Sequence, residues 1–207
     1  MIYDALIFDL DGTLWDASES SAKGWNIALK KTGIDKQILT EDIRKVAGNP
    51  YKKCIEILLP GLLAKYNLLY TNVNTEEEKM LKKQGGVIYD YVREGIRKLS
   101  EEYMLFIVSN CQEWYLKLFF NLSGIKNYFK DYDCYGISNV SKYEMINKII
   151  TGYDLKKPVY IGDTLGDEKA AKLSGCDFIY MSYGFGNLHE QVNKCHTFKE
   201  LVMKLSK

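Results

Sequence analysis

The chain alternates short apolar runs with helix-like segments, and that alternation limits its architecture more than any other feature. Residues 2–10, 104–108, 132–135, 159–161 and 178–181 read as strands. Runs that are apolar on both faces suit a central parallel sheet covered by helices. Helical segments follow most of them, at 113–123, 142–151 and 167–173. The order predicts an α/β architecture with right-handed crossovers.

The alternation breaks once. Between the first strand and Met104 there is no convincing strand. Within residues 16–31, Ala22, Trp25 and Leu29 fall at helical spacing, and 41–46, 51–59 and 76–83 also read as helices. A helix over 91–99 leads into the second strand. A structureless loop of this length would be out of keeping with a compact domain. Residues 16–84 are therefore expected to form an inserted helical unit, with 1–15 and 85–207 forming the core and Gly85-Gly86 as the return hinge. A chain of 207 residues suffices for one core plus a small insertion.

Composition excludes several classes. Hydrophobic residues are 46% and charged residues 27%, the balance of a globular chain rather than a disordered one. Lys+Arg (28) and Asp+Glu (27) leave a net charge of +1, which argues against a nucleic-acid binder working by bulk charge. The 5 cysteines are odd in number and none forms a CxxC pair, so neither a zinc knuckle nor a disulfide scaffold is indicated. No apolar run is long enough to span a bilayer, and the N-terminus lacks an export signal. The expectation is a cytoplasmic protein with reduced thiols, no membrane partner and no nucleic-acid partner.

The chemistry-bearing residues cluster at strand ends. The first strand closes on Asp9-Leu10-Asp11-Gly12-Thr13, which places two carboxylates two residues apart. Continued β geometry would put both on one face. Like charges that close repel unless a cation or a shared proton offsets them. Gly12 permits a tight turn and close backbone approach to an anion. Chance matches to Asp-x-Asp-Gly-Thr occur on the order of once per hundred thousand positions. The second strand ends in Ser109-Asn110. Asn110 could cap the next helix with Glu113 as its capping-box partner, or Ser109 and the helix-start N–H groups could form an anion site.

Ser141 and Glu144 form a capping box that puts Lys142 in a first helical turn, where a cation opposes the helix dipole. Lys142 is then either a solvated surface residue or a ligand for an anion bound at that helix start. The fourth strand ends in Gly162-Asp163-Thr164-Leu165-Gly166-Asp167. Thr164 as N-cap with Asp167 accounts for the second aspartate but not for Asp163. Aspartates from two strand ends make an all-oxygen site suited to Mg²⁺.

Together these four pieces resemble the haloacid dehalogenase-like superfamily, with the phosphoglycolate-phosphatase-like members most similar. The insertion resembles that family's small helical cap, and Tyr183-Gly184-Phe185-Gly186 also resembles them. The resemblance implies a Rossmann-like core with a mostly parallel sheet. It also implies a Mg²⁺-dependent phosphatase of a small phosphorylated metabolite, acting as monomer or homodimer. Asp9 would be the nucleophile and Asp11 the general acid/base. Asp9, the Asp11 carbonyl and Asp163 would hold the metal, while Ser109, Asn110, Lys142 and Gly12 would bind phosphate. Asp167 would orient Lys142 or a metal-bound water. A carboxylate at Asp11 favours phosphoryl chemistry over carbon–halogen cleavage, since a halide leaves without a proton. Tyr143 stands where many relatives have proline. The alternatives are a phosphomutase on the same site and a non-catalytic protein that binds a phosphometabolite.

Other residues have simpler readings. Asp16 and Glu19 form a capping box for the first inserted helix, and Trp25 and Leu29 are core of the insertion. Trp15 either packs the hinge or touches the leaving group. Glu76-Glu77-Glu78 is a solvated first helical turn. Cys111 is a structural thiol, and His189 and His196 form no triad or metal pair.

Overall fold

The computed structural model describes residues 3–188 and 193–206. Position 2 of the first expected strand and His189 lie outside the described residues. The chain opens with β1 (Ala5–Phe8) and β2 (Trp15–Asp16). The helices α1 (Ser18–Thr32), α2 (Thr40–Val46), α3 (Tyr51–Leu58), α4 (Leu62–Lys65) and α5 (Leu69–Gln84) follow. It returns through β3 (Val87–Ile88) and α6 (Val92–Ser100) to β4 (Met104–Ser109) and α7 (Glu113–Ser123). Then come β5 (Asp131–Cys134), α8 (Tyr135–Ser138), α9 (Lys142–Gly152), β6 (Pro158–Gly162) and α10 (Leu165–Leu173). The last elements are β7 (Asp177–Met181), β8 (Lys194–Cys195) and α11 (Phe198–Leu205).

Six strands form one parallel sheet in the order β5-β4-β1-β6-β7-β8. The α/β fold class follows the expectation. Alternate residues of β1 feed two cores: Leu6 and Phe8 pack with α6, α7 and α11 on one face, and Ala5 and Ile7 pack with α9 and α10 on the other. This is the period-two division that a sheet covered on both faces requires. After β5 the chain crosses to the far side of β1, so the carboxyl ends of β4, β1 and β6 border the crevice where ligands bind in such sheets.

Helices α1 to α5 carry a separate apolar cluster containing Trp25, Leu29, Val46, Ile55 and Val73. The reading of Trp25 and Leu29 as core of this unit holds. Two short strands do occur in the stretch read as strand-free: β2 and β3 pair antiparallel, Trp15 with Ile88 and Asp16 with Val87. They are too short for a periodicity to register. Trp15 is fully buried there, its ring 5.0 Å from Tyr115 and 5.3 Å from Phe119, which is hinge packing.

Three local expectations are corrected. Helix α5 begins at Leu69, so Glu76-Glu77-Glu78 lies mid-helix rather than in a solvated first turn, and Glu76 and Glu77 are buried. Asp16 and Glu19 make no capping box: Asp16 accepts from Ser18 and Arg44, while Glu19 pairs with Lys23. Asn110 does not cap α7, whose N-cap is Gln112, because its side chain instead reaches across to Gly48 of the inserted unit. The sequence reading also passes over α11, although Phe198, Leu201, Val202 and Leu205 recur at helical spacing behind a Thr197 N-cap. Among the described residues no helix is long and apolar enough to cross a membrane.

The pair α1–α5 closes on Gly24, where an added Cβ would lie 2.5 Å from the Glu77 Cα. Gly24→Ala gains up to about 1 kcal/mol of helix propensity. Overpacking against rigid backbone costs about 1–3 kcal/mol and outweighs it. Urea denaturation is expected to show a net loss of stability. Gly152→Ala, where a Cβ meets nothing within 4 Å, is expected to be neutral or stabilising.

Candidate active site

Asp9 extends the β1 ladder by one rung, its N–H donating to the Ile161 carbonyl at 2.8 Å. The chain then turns sharply, with Leu14 N–H returning to the Leu10 carbonyl at 2.8 Å and Gly12 N–H reaching the Trp15 carbonyl at 2.9 Å. Gly12 has φ +78°, and a Cβ there would sit 2.1 Å from Asp163 Oδ2. Glycine is thus required twice at this position, by the left-handed backbone and by the approach of Asp163.

Lys142 reaches into this turn from the start of α9, which Ser141 N–H donating to Glu144 at 2.9 Å helps to begin. Its Nζ lies 2.9 Å from Asp9 Oδ1 and 2.5 Å from Asp167 Oδ1. The lysine is 6% exposed, Asp9 1% and Asp167 0%, so this cation is internal rather than a surface residue. Burial alone would push Lys142 down, but Asp167 and Asp9 beside it hold it well above the ordinary lysine range. Its Nζ also lies 5.7 Å from the centre of the Tyr160 ring.

Asp167 is fixed from its other oxygen. Oδ2 accepts from Thr164 N–H at 2.9 Å, Thr164 Oγ1 at 2.6 Å and Asp163 N–H at 3.2 Å. The N-cap reading of Thr164 therefore holds, and the same aspartate orients Lys142. Asp163 accepts from Phe185 N–H at 2.6 Å and from Thr13 Oγ1 at 3.3 Å. Cβ atoms at Gly184 and Gly186 would lie 2.3 Å from Asp163 Cβ and 2.1 Å from its carbonyl oxygen, so the segment 183–186 closes tightly over it.

Asp9, Asp163 and Asp167 bring carboxylate oxygens within 4.8 Å of one another. Burial, reinforced by neighbouring Asp167, pushes Asp9 up to about 6. Burial, with Asp167 and Asp9 nearby, also raises Asp163 well above the usual carboxylate range. Asp9 Oδ2 is buried without a hydrogen-bond partner among the described residues. An orphaned carboxylate oxygen beside a second crowded carboxylate, in an all-oxygen donor set, fits a hard divalent cation. Asp167 has its oxygens committed to Lys142 and the Thr164 turn, and Asp163 accepts from Phe185 and Thr13, so among the described residues Asp9 Oδ2 is the unpartnered oxygen of the cluster.

Asp11 is turned away from this cluster and lines a cavity of about 70 Å³ between the core and the inserted helices. It accepts a hydrogen bond from the Tyr115 hydroxyl of α7. Burial pushes Asp11 up to about 7, with Asp9, Glu77 and Asp16 adding to the rise and the Tyr115 hydroxyl opposing it. Ser109 and Cys111 line the same cavity, and Ser109 Oγ accepts from Cys111 N–H at 3.3 Å. Burial raises the Cys111 thiol well above its ordinary value, so it stays protonated. Asn110 commits its amide to the Gly48 carbonyl at 2.7 Å, leaving its main-chain N–H as the group available to an anion. His196 is remote, beside Ser182.

Two cavity residues escaped the sequence reading. Tyr115 carries no local signal, since it sits on the buried face of α7 as an ordinary core aromatic would. Glu77 lies in a charge run and is drawn inward by Trp25 Nε1 at 2.7 Å and Tyr51 Oη at 2.5 Å.

Comparison with known proteins fits this geometry. A phosphoglycolate phosphatase from Aquifex aeolicus is 24% identical, over 90% of this chain and 88% of its own length. One from Colwellia psychrerythraea is 26% identical, over 99% of this chain and 97% of its own. A haloacid dehalogenase-like family hydrolase from Streptococcus pneumoniae superposes with a TM-score of 0.81 at 20% identity, covering 98% of each chain. The sequence model of the haloacid dehalogenase-like hydrolases matches residues 6–181, a span that holds all four strand-end elements of the site. The chain therefore belongs to the haloacid dehalogenase-like hydrolase family.

Proposed function

We propose that the chain is a Mg²⁺-dependent phosphatase of a small phosphate monoester, working through an aspartyl-phosphate on Asp9. The observation that carries this reading is the pairing of Asp9 with Asp11. One carboxylate is steered by Lys142 with its second oxygen unpartnered, and the other faces the cavity with its acidity tuned to about 7. A nucleophile and a proton donor of different environment, two residues apart, are what a two-step displacement needs. The two relatives named as phosphoglycolate phosphatases support the reaction class.

In the first step an Asp9 oxygen forms a bond to phosphorus as the bond to the alcohol oxygen breaks. Asp11 gives its proton to that oxygen, so the alcohol leaves neutral. In the second step Asp11, now ionised, takes a proton from water as the water oxygen attacks phosphorus. Phosphate leaves and Asp9 is regenerated. Lys142, Ser109 and the N–H groups near Gly12 and Asn110 steady the phosphoryl oxygens as charge moves onto them. Asp9, the Asp11 carbonyl and Asp163 would hold Mg²⁺, whose charge offsets repulsion between carboxylate and phosphate dianion. Residues 16–84 act as a cap that excludes water, and the Asn110–Gly48 bond ties it to the core.

Purified protein is expected to release free phosphate from para-nitrophenyl phosphate, to lose this with EDTA and to regain it with Mg²⁺. Asp9→Asn should lower the rate by at least about a thousandfold. Full turnover by that variant would overturn the assignment of the nucleophile, and turnover without net phosphate release would point to a mutase. Lys142→Met leaves Asp9 and Asp167 facing each other without a cation. Chemical denaturation in EDTA should show it about 3–5 kcal/mol less stable than wild type.

A further inference from the structure

The cavity beyond Asp11 has a chemical character that the reaction class does not dictate. Its aromatic wall consists of Trp25, Tyr51, Trp114, Tyr115 and Phe185, and its charged residues are Asp11 and Glu77. No lysine, arginine or histidine lines it among the described residues. Lys142 is paired with Asp9 and Asp167, and Arg44 pairs with Asp16 and Glu41 behind the wall, its guanidinium 5.8 Å from the centre of the Phe185 ring. Glu77 is the acid of the cavity that the two-step displacement does not use.

Trp25 Nε1 and the Tyr51 hydroxyl both donate to Glu77 Oε2, at 2.7 and 2.5 Å. Such charge-assisted bonds favour the ionised carboxylate. Burial holds the Glu77 carboxyl above its ordinary value, while Ser21, Tyr51 and Trp25 oppose the rise. Its position is set by the backbone contact at Gly24, so the carboxylate is held rather than floating.

We propose that Glu77 makes this cavity select phosphate monoesters of a short amino alcohol over those of a hydroxy acid. This deepens the phosphatase reading and rests on it. An ammonium in the cavity meets an opposite charge and aromatic faces. A carboxylate there meets Glu77, with no lining cation to offset its desolvation. The volume of about 70 Å³ accommodates an alcohol of a few heavy atoms. Selection by repulsion as much as by attraction gives specificity at small cost in affinity.

The test compares kcat/KM for 2-aminoethyl phosphate and phosphoglycolate, two-carbon esters of similar size, with para-nitrophenyl phosphate as the control for the chemistry. Wild type is expected to favour the amine by at least about tenfold. Glu77→Gln keeps an acceptor for Trp25 and Tyr51 while removing the charge. It should bring the ratio to within about threefold, losing on the amine and gaining on the acid. A wild-type ratio at or below one, hydrolysis of the control but of neither two-carbon ester, or an unchanged ratio in Glu77→Gln would each overturn the proposal. The wild-type ratio decides alone if circular dichroism shows the variant unfolded. Failure of the wild type on the control would overturn the phosphatase reading itself, and this inference with it.

Discussion

The ion pairs of Lys142 with Asp9 and Asp167 are the constraint around which the site is built. Asp9, Asp163 and Asp167 sit almost entirely out of water at the ends of two neighbouring strands. Burying a lone carboxylate is costly, and three together are untenable without a positive charge. Lys142 supplies that charge from inside the protein, at the start of α9, which follows the edge strand β5 and the short α8. The arrangement sets one cation among three acids, and burial with mutual repulsion raises Asp9 and Asp163 above the ordinary carboxylate range. The glycines at 12, 184 and 186 serve the same end by letting backbone close on Asp163 where any side chain would displace it.

The inserted helices meet this charge cluster with a different kind of surface. To the cavity the core contributes Asp11, Ser109 and the rings of Trp114, Tyr115 and Phe185, and the helical unit contributes Trp25, Tyr51 and a single acid, Glu77. The charge cluster is held by strand ends and by the first turns of α9 and α10, while the cavity wall is shared between α7, the segment 183–186 and the inserted helices.

How much of this was legible in the sequence depended on whether the cause was local. The strand ends could be read because a continuous apolar run and the unusual Asp-x-Asp-Gly-Thr both lie within a few residues. The Thr164–Asp167 and Ser141–Glu144 turns could be read for the same reason. Asn110 could not: local capping logic pointed to Glu113, but a carbonyl at Gly48 made the better partner, and only the tertiary fold brings it near. Glu77 failed in a similar way. Three consecutive glutamates look solvated, and what turns one of them inward is a pair of donors at Trp25 and Tyr51 on other helices. Helix α11 is a different kind of miss, since its spacing and its cap were both present in the sequence.

The β2–β3 ribbon has a consequence for how such a chain can diversify. The chain leaves the core at Asp16 and comes back at Val87, and these two residues are paired across the ribbon. Departure and return therefore occupy one doorway. Whatever is spliced between them need satisfy only the spacing of two adjacent strands, and loop-closure entropy grows slowly with the length inserted. The sheet and the charge cluster meet what hangs from that doorway at few places, among them Leu81 in the core and the Asn110–Gly48 bond. Lineages built on this plan can rewrite the face that meets the ligand wholesale, by insertion, deletion or recombination, while the reactive centre stays under separate selection.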